Sequence, residues 1–282
     1  MKRLGSMLCV RARHGSRSKT TAMILACLTI FGAVRILAQV RRDFYSVRVV
    51  SGSFSNALEY YAANRAPATF DQWKKKYNFP SRMSGEALDA YRRRAGIAVY
   101  YNRNELGLGR ELGCSRFIDS GPNGKAMTGV ACFVTNYGQR FENPASALSD
   151  AIAGVNPADI DAYVYAPVST RAPTVVPGLS PLSYSINFIV YDGSGKLVPY
   201  SNLDFTGRRA VPQICTNCHG GTYDPRDKLV IGGTFTPINP SILSFSTVAG
   251  YTFDAQAGRI AALNAITSLG ATCPPGVDCP GH

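Results

Sequence analysis

Two kinds of hydrophobic patterning divide the chain. Ahead of residue 97 the apolar positions recur at helical spacing. "FSNALEYYAANRAPATFDQWKKKYNF" predicts one or two helices, broken near Pro67. "SGEALDAYRRRAG" predicts a short helix, because Glu86 and Asp89 come early, Arg92 to Arg94 come late, and Gly96 follows as a stop. From residue 97 the texture turns β-rich: "IAVYY", "GVACFVTNY" and "DAYVYA" carry the β-branched and aromatic residues of strands. In "SINFIVYDGSGKLVPYSNLDF", Tyr184 to Tyr191 reads as one arm of a hairpin, "DGSG" as its turn, and Lys196 to Tyr200 as the return. "ALSDAIAGV" predicts a helix, and "APVSTRAPTVVPGLSP", with its four prolines, a loop. Near the end, "DAQAGRIAALNAITSLG" places Ile260, Leu263 and Ile266 along one side of a helix. The expected fold class is α+β, and no internal repeat is evident.

The first forty residues follow a different rule. Lys2, Arg3, Arg11, Arg13, Arg17 and Lys19 come with no acidic residue, and the apolar "TTAMILACLTIFGAV" follows, then Arg35 and "ILAQ". Basic, apolar and small-residue segments in that order describe a secretory signal peptide, with a cut after Ala38 fitting best. The apolar run is short for a membrane span, so anchoring in a membrane is expected only if this segment stays uncleaved. "ILAC" at 24–27 resembles a lipoprotein processing site, but Leu25 stands where a small residue is preferred. "QVRRDFYSVRVV" (39–50) then leads in, with strand-like composition.

Charge changes meaning once that segment is set aside. The chain of 282 residues carries 30 basic and 18 acidic residues, a net +12. Seven of the basic residues and none of the acidic ones lie in 1–38, so the remainder carries +5. Nucleic-acid binding loses its main support, and no nucleic-acid partner is expected. The triplets Lys74–Lys76 and Arg92–Arg94 read as solvated helix faces, with docking of an acidic redox partner protein as the second reading.

The strongest chemistry lies in "ICTNCHGG", residues 214–221. Cys-x-x-Cys-His is the attachment sequence of c-type haem. Cys215 and Cys218 can each add to one vinyl group of the porphyrin, and a two-residue gap presents both sulfurs to one edge. His219 follows at once, so its ring can ligate the iron. Its second ring nitrogen should donate to a carbonyl or carboxylate; Pro225 or Pro237 is the expected source. Three other readings compete. Cys215, Cys218, Cys273 and Cys279 could hold a structural zinc, although the second pair is more widely spaced than usual. Cys-x-x-Cys alone serves thiol–disulfide exchange, which needs no histidine. A plain structural disulfide is the third.

Export and cysteine number fit the haem reading. Six cysteines follow residue 38, and an exported protein keeps few thiols free. With two on haem, Cys114 with Cys132 and Cys273 with Cys279 is the most local pairing, crossed pairings staying open by sequence.

At this motif the chain resembles c-type cytochromes. "YYNRNELGLGRELGC", "GVACFVTNYG" and "NLDFTGRRAVPQICTNCHGG" also resemble blocks of uncharacterised bacterial monohaem cytochrome c-like proteins, over about a quarter of the chain. The resemblance implies a periplasmic protein with one covalent haem c that transfers single electrons to a redox partner protein. In that group the "GLGRE" block continues with Met and His; here Leu112 and Gly113 take those places. Small class I cytochromes bring a methionine from downstream of the motif, and none follows Met127 here, so simple membership of that class is not expected. Met83, Met127 and His282 are the distal candidates after residue 38. Met127, in the Gly-rich "GPNGKAMTGVACF" just before Cys132, is the candidate distal iron ligand; Met83 reads as packing and His282 as a loose terminus. An open distal face would instead suit a haem c enzyme or a gas-binding sensor. The expected organisation is a signal peptide over 1–38, a mixed α/β region over 39–200, and a cytochrome c-like haem-attachment region over 201–282.

Overall fold

The structure, a computed structural model, describes residues 53–103, 106–120, 126–138, 143–167, 184–203 and 207–271. The expected signal peptide, the strand within 39–50, the four-proline loop after Pro167, Cys273, Cys279 and His282 lie outside the described residues.

Three helices come first: α1 (Phe54–Ala63), α2 (Phe70–Lys76) and α3 (Leu88–Arg94). Ser53 and Thr69 cap α1 and α2 by accepting from the N–H groups of Asn56 and Gln72. The break between α1 and α2 falls at Pro67, as the sequence implies. Five antiparallel strands then form one sheet in chain order: β1 (Ala98–Asn102), β2 (Leu108–Ser120), β3 (Ala126–Tyr137), β4 (Pro157–Pro167) and β5 (Tyr184–Asp192). Helix α4 (Pro144–Ala153) lies between β3 and β4 in the chain, capped by Asn143 and ended by Gly154 in the left-handed region. The fold is therefore α+β with a mostly antiparallel sheet.

Register divides the sheet into two faces. Cys114, Cys132, Tyr163 and Phe188 stand opposite one another across β2, β3, β4 and β5 and share the first face. One residue away, Phe133 points to the second face, where the rings of Phe70, Trp73 and Phe79 surround it. Helix α4 also covers the second face: a side chain at Gly109 of β2 would sit 2.1 Å from the Ala147 carbonyl oxygen.

Both sheet edges are closed by side chains. On β5, the Phe188 N–H donates to the Tyr60 hydroxyl (2.8 Å) and the Val190 N–H to the Tyr61 hydroxyl (3.0 Å). The expected hairpin is present but short. The "DGSG" turn forms, with the Gly195 N–H donating to the Asp192 carbonyl, and the return arm pairs with β5 from Lys196 to Val198. The tyrosines of α1 take the donors that a full return strand would have used. On β1, Gln256 accepts from the Val99 N–H (2.7 Å) and donates to its carbonyl (2.9 Å).

After β5 the chain makes β6 (Tyr200–Ser201), β7 (Arg209–Ala210), α5 (Gln213–His219), β8 (Thr222–Asp224), β9 (Leu229–Ile231), a 3₁₀ turn (Pro240–Ile242) and α6 (Phe253–Ala271). Ile260 and Leu263 of α6 are buried, as expected, with Ile266 packed against the same core. That core joins Val211, Ile214, Cys215, Val230 and Phe235 to sheet residues such as Phe133, Tyr163 and Ile189. Residue 200 therefore does not separate two cores.

Candidate functional site

Helix α5 carries the Cys-x-x-Cys-His motif in full. Positions i, i+3 and i+4 share one side of a helix, so Cys215, Cys218 and His219 project together. Cys215 faces inward and is only 5% exposed, Cys218 is exposed, and His219 is half-buried.

His219 rests on the first face of the sheet. Its ring centre lies 4.8 Å from that of Tyr163 and 5.3 Å from that of Phe188. Those two rings meet edge to face at 5.8 Å, so the imidazole sits on a fixed aromatic floor. Next in register is the disulfide Cys114–Cys132, which the structure forms as the local pairing implied.

Thr234 fixes the imidazole from the side. The His219 carbonyl accepts from the Thr234 N–H at 3.0 Å, and His219 Nδ1 lies 3.0 Å from the Thr234 carbonyl oxygen. A carbonyl can only accept, so Nδ1 carries the proton and Nε2 is the ring nitrogen without one. The expected backbone carbonyl is thus Thr234's, in place of Pro225's or Pro237's. Glycines allow the approach. A side chain at Gly221 would meet the Gly233 nitrogen at 2.6 Å, and one at Gly233 would meet Ile186 at 2.5 Å. This answers why two glycines follow the motif: Gly220 and Gly221 both take positive φ, and the second must lie against residues 231–233.

Burial pushes the Cys215 thiol well up, and the nearby Asp161, Cys218 and Asp159 push it further. A thioether carries no charge, so the buried position suits a sulfur bonded to a vinyl carbon. The donor set fits haem c: two cysteine sulfurs on one side of a helix, and an adjacent imidazole oriented through Nδ1.

Other sequence candidates fall elsewhere. Met127 belongs to β3, paired with Asp119, not to a loop. It lies five residues from Cys132 and so on the opposite face of the sheet from His219. The structure does not bring the two together. Met83 is 60% exposed, beside the turn held by its N–H and Glu86. Leu112 shares the first face, whereas Gly113 abuts Phe133 and Ile97 on the second. A zinc site would need Cys273 and Cys279. Among the described residues no group of three or more His, Cys, Asp and Glu side chains is placed to hold a metal ion. Most of the basic triplets are engaged: Lys74 with Asp71, Lys76 with the Arg65 carbonyl, Arg93 with Asp89 and Arg94 with Glu86, while Lys75 is exposed. Arg92 is fully buried, so only Arg93 and Arg94 of its triplet form the solvated face.

A second cluster on the same sheet face was not legible in the sequence. Asn136 donates from one amide nitrogen to Asp159 (2.9 Å) and to Asp161 (2.7 Å). Ser201 donates to Asp159 (2.8 Å), and Arg110 Nε donates to the Asn136 oxygen (3.2 Å).

No protein-family model matches the chain, and neither a curated protein nor a solved structure is detectably similar to it.

Proposed function

We propose that this chain is an exported c-type haem protein that carries one covalent haem and passes single electrons to a redox partner protein. The observation that carries the reading is that one helical turn presents Cys215, Cys218 and His219 together, with His219 Nδ1 held by the Thr234 carbonyl. Once bound through Cys215 and Cys218, haem supplies a one-electron Fe(III)/Fe(II) couple. The chain holds the imidazole in one orientation with Thr234, Tyr163 and Phe188, and it keeps water from the Cys215 side by burial. The disulfide Cys114–Cys132 is consistent with an oxidising compartment such as the periplasm. Among the described residues no helix is long and apolar enough to cross a membrane.

Expression with cytochrome-maturation machinery tests this reading. Denatured protein should show the polypeptide mass plus one haem, and its pyridine haemochrome should have the form given by two thioether bonds. A bare polypeptide mass under those conditions refutes it.

One observation favours the second reading, a haem c enzyme or gas-binding sensor. Met127, the internal candidate for the sixth position, lies across the sheet from His219. Carbon monoxide added to the reduced protein separates the two: rapid and complete binding supports the open distal face, and failure to bind supports electron transfer.

A further inference from the structure

The buried carboxylate of Asp161 and the half-buried one of Asp159 lie on the same sheet face as the haem-attachment helix, and no step above uses them. Asp161 is 2% exposed, and its Oδ1 has no hydrogen-bond partner. Its register neighbours are Val134 and Val190, so no polar side chain stands directly beside it across either flanking strand. Among the described residues its side chain bonds the Asn136 amide nitrogen alone, which it shares with Asp159. A buried carboxylate that shares its one donor with a second, half-buried carboxylate cannot ionise cheaply while the other is charged.

We propose that Asp159 and Asp161 form a proton-binding site coupled to the redox state of the haem: the pair takes up one proton when the site is reduced and releases it on oxidation. The inference rests on the haem reading above. The balance is one electron from the redox partner or an added one-electron reductant, and one proton from solvent. Reduction adds one negative charge at the group tethered by Cys215, and the carboxyl proton offsets it. Coupling is physically available because Asp161 stands two positions before Tyr163 on the same face of β4, and the Tyr163 ring lies 4.8 Å from that of His219. The proton has a route: Asp159 lines a surface cavity of about 160 Å³ with Leu108, Ala158, Asn202 and Leu203.

The other groups that face the pair are few. Arg110 of β2 reaches it through Asn136, and Ser201 of β6 donates to Asp159. Tyr163 follows on β4, its hydroxyl pushed well up by burial and by Asp161. Cys215 and Cys218 of α5 become thioethers on attachment and cease to titrate. Asp192, opposite Asp159 on β5, accepts instead from Ser194 and the Lys196 N–H. Burial pushes Asp161 well up, with Asp159 adding to it, and burial also raises Asp159. This agrees with a pair that keeps a proton where ordinary carboxylates have lost theirs.

Potentiometric titration of the haem-loaded chain across pH is the test. The potential should fall with rising pH, toward a limit of about 59 mV per tenfold change in proton activity for one proton per electron. Asp161→Asn should abolish that window, and Asp159→Asn should weaken it. A flat profile in the parent chain, or an unchanged slope in both variants, overturns the inference. Should either variant fail to fold, redox-difference infrared spectra of the parent chain decide: a protonated-carboxyl band must grow on reduction, and its absence overturns the proposal. A haem-free polypeptide removes the parent reading as well, whereas a loaded protein with a pH-independent potential removes this inference alone.

Discussion

Thr234 grips His219 twice, through its N–H on the histidine carbonyl and through its own carbonyl at Nδ1, both at 3.0 Å. The grip depends on Gly233, which has no room for a side chain beside Ile186. Gly233→Ala should push residues 233–234 off the sheet, cost about 1–3 kcal/mol of stability, and loosen the imidazole. Urea unfolding gives the first quantity. Long-range 1H–15N spectra of the haem-free chain give the second: His219 should be the Nδ1–H tautomer in the parent protein and a mixture in the variant. A parent chain that holds the proton on Nε2 would contradict the geometry.

Arg92 is the most consequential charge outside the site. Its guanidinium is fully buried and donates to Glu111 (2.5 Å), to the carbonyls of Ala151 and Ile152 at the end of α4, and to the Tyr251 hydroxyl. It therefore ties α3, β2, α4 and the segment before α6 together. Arg92→Met would strand a buried carboxylate and two carbonyls, and should cost about 3–5 kcal/mol. Arg93→Met, which loses only the exposed pair with Asp89, should cost less than about 1 kcal/mol. Equal losses in the two variants would show that Arg92 is not buried as described.

These arginines also show how much of the fold was legible. The charge order of "LDAYRRR" was enough to place a helix, but three consecutive arginines look alike until the turn of the helix assigns one of them inward. Strands β1, β3 and β4 announced themselves by composition. The thirteen-residue β2 did not, because Gly109 and Gly113 interrupt its pattern. Both glycines are set by tertiary contacts, with the Ala147 carbonyl at one and the Phe133 ring at the other. The site divides the same way. Cys215, Cys218 and His219 were readable because their chemistry is local to one helical turn. Thr234, Tyr163 and Phe188 were not, since register and loop approach bring them to the imidazole. Met127 shows the converse: a Gly-rich neighbourhood suggested a loop, and pairing with β2 made it a strand residue on the far face.

The cross-strand disulfide should be worth a few kcal/mol. Cys114 and Cys132 are 18 residues apart and directly paired in register, with Cα atoms 4.1 Å apart. Cross-linking a loop of that size stabilises by about 3 kcal/mol when the unfolded chain is the state constrained. Cys114→Ala with Cys132→Ala should lower the unfolding free energy by about that amount, and the variant's urea midpoint should no longer respond to reductant. A parent protein equally insensitive to reductant in its unfolded state would argue that the bond does not form.

Asp161 gives a pH dependence of stability that needs no haem. Its folded-state pKa lies well above the ordinary aspartate value of 3.8, because burial and then Asp159 oppose ionisation. A group raised on folding contributes stability that is complete below its unfolded pKa and is lost as pH climbs toward the folded one. The parent chain should therefore lose stability from this source as pH rises above about 4. Asn at 161 keeps an oxygen for the Asn136 amide and cannot ionise, so it escapes that loss. Thermal unfolding of parent and Asp161→Asn chains, compared between about pH 4 and pH 8, should show the variant gaining relative to the parent as pH rises. A difference that stays constant across that range would mean Asp161 ionises in the fold as readily as it does in water, and the shared-proton description of the pair would fail with it.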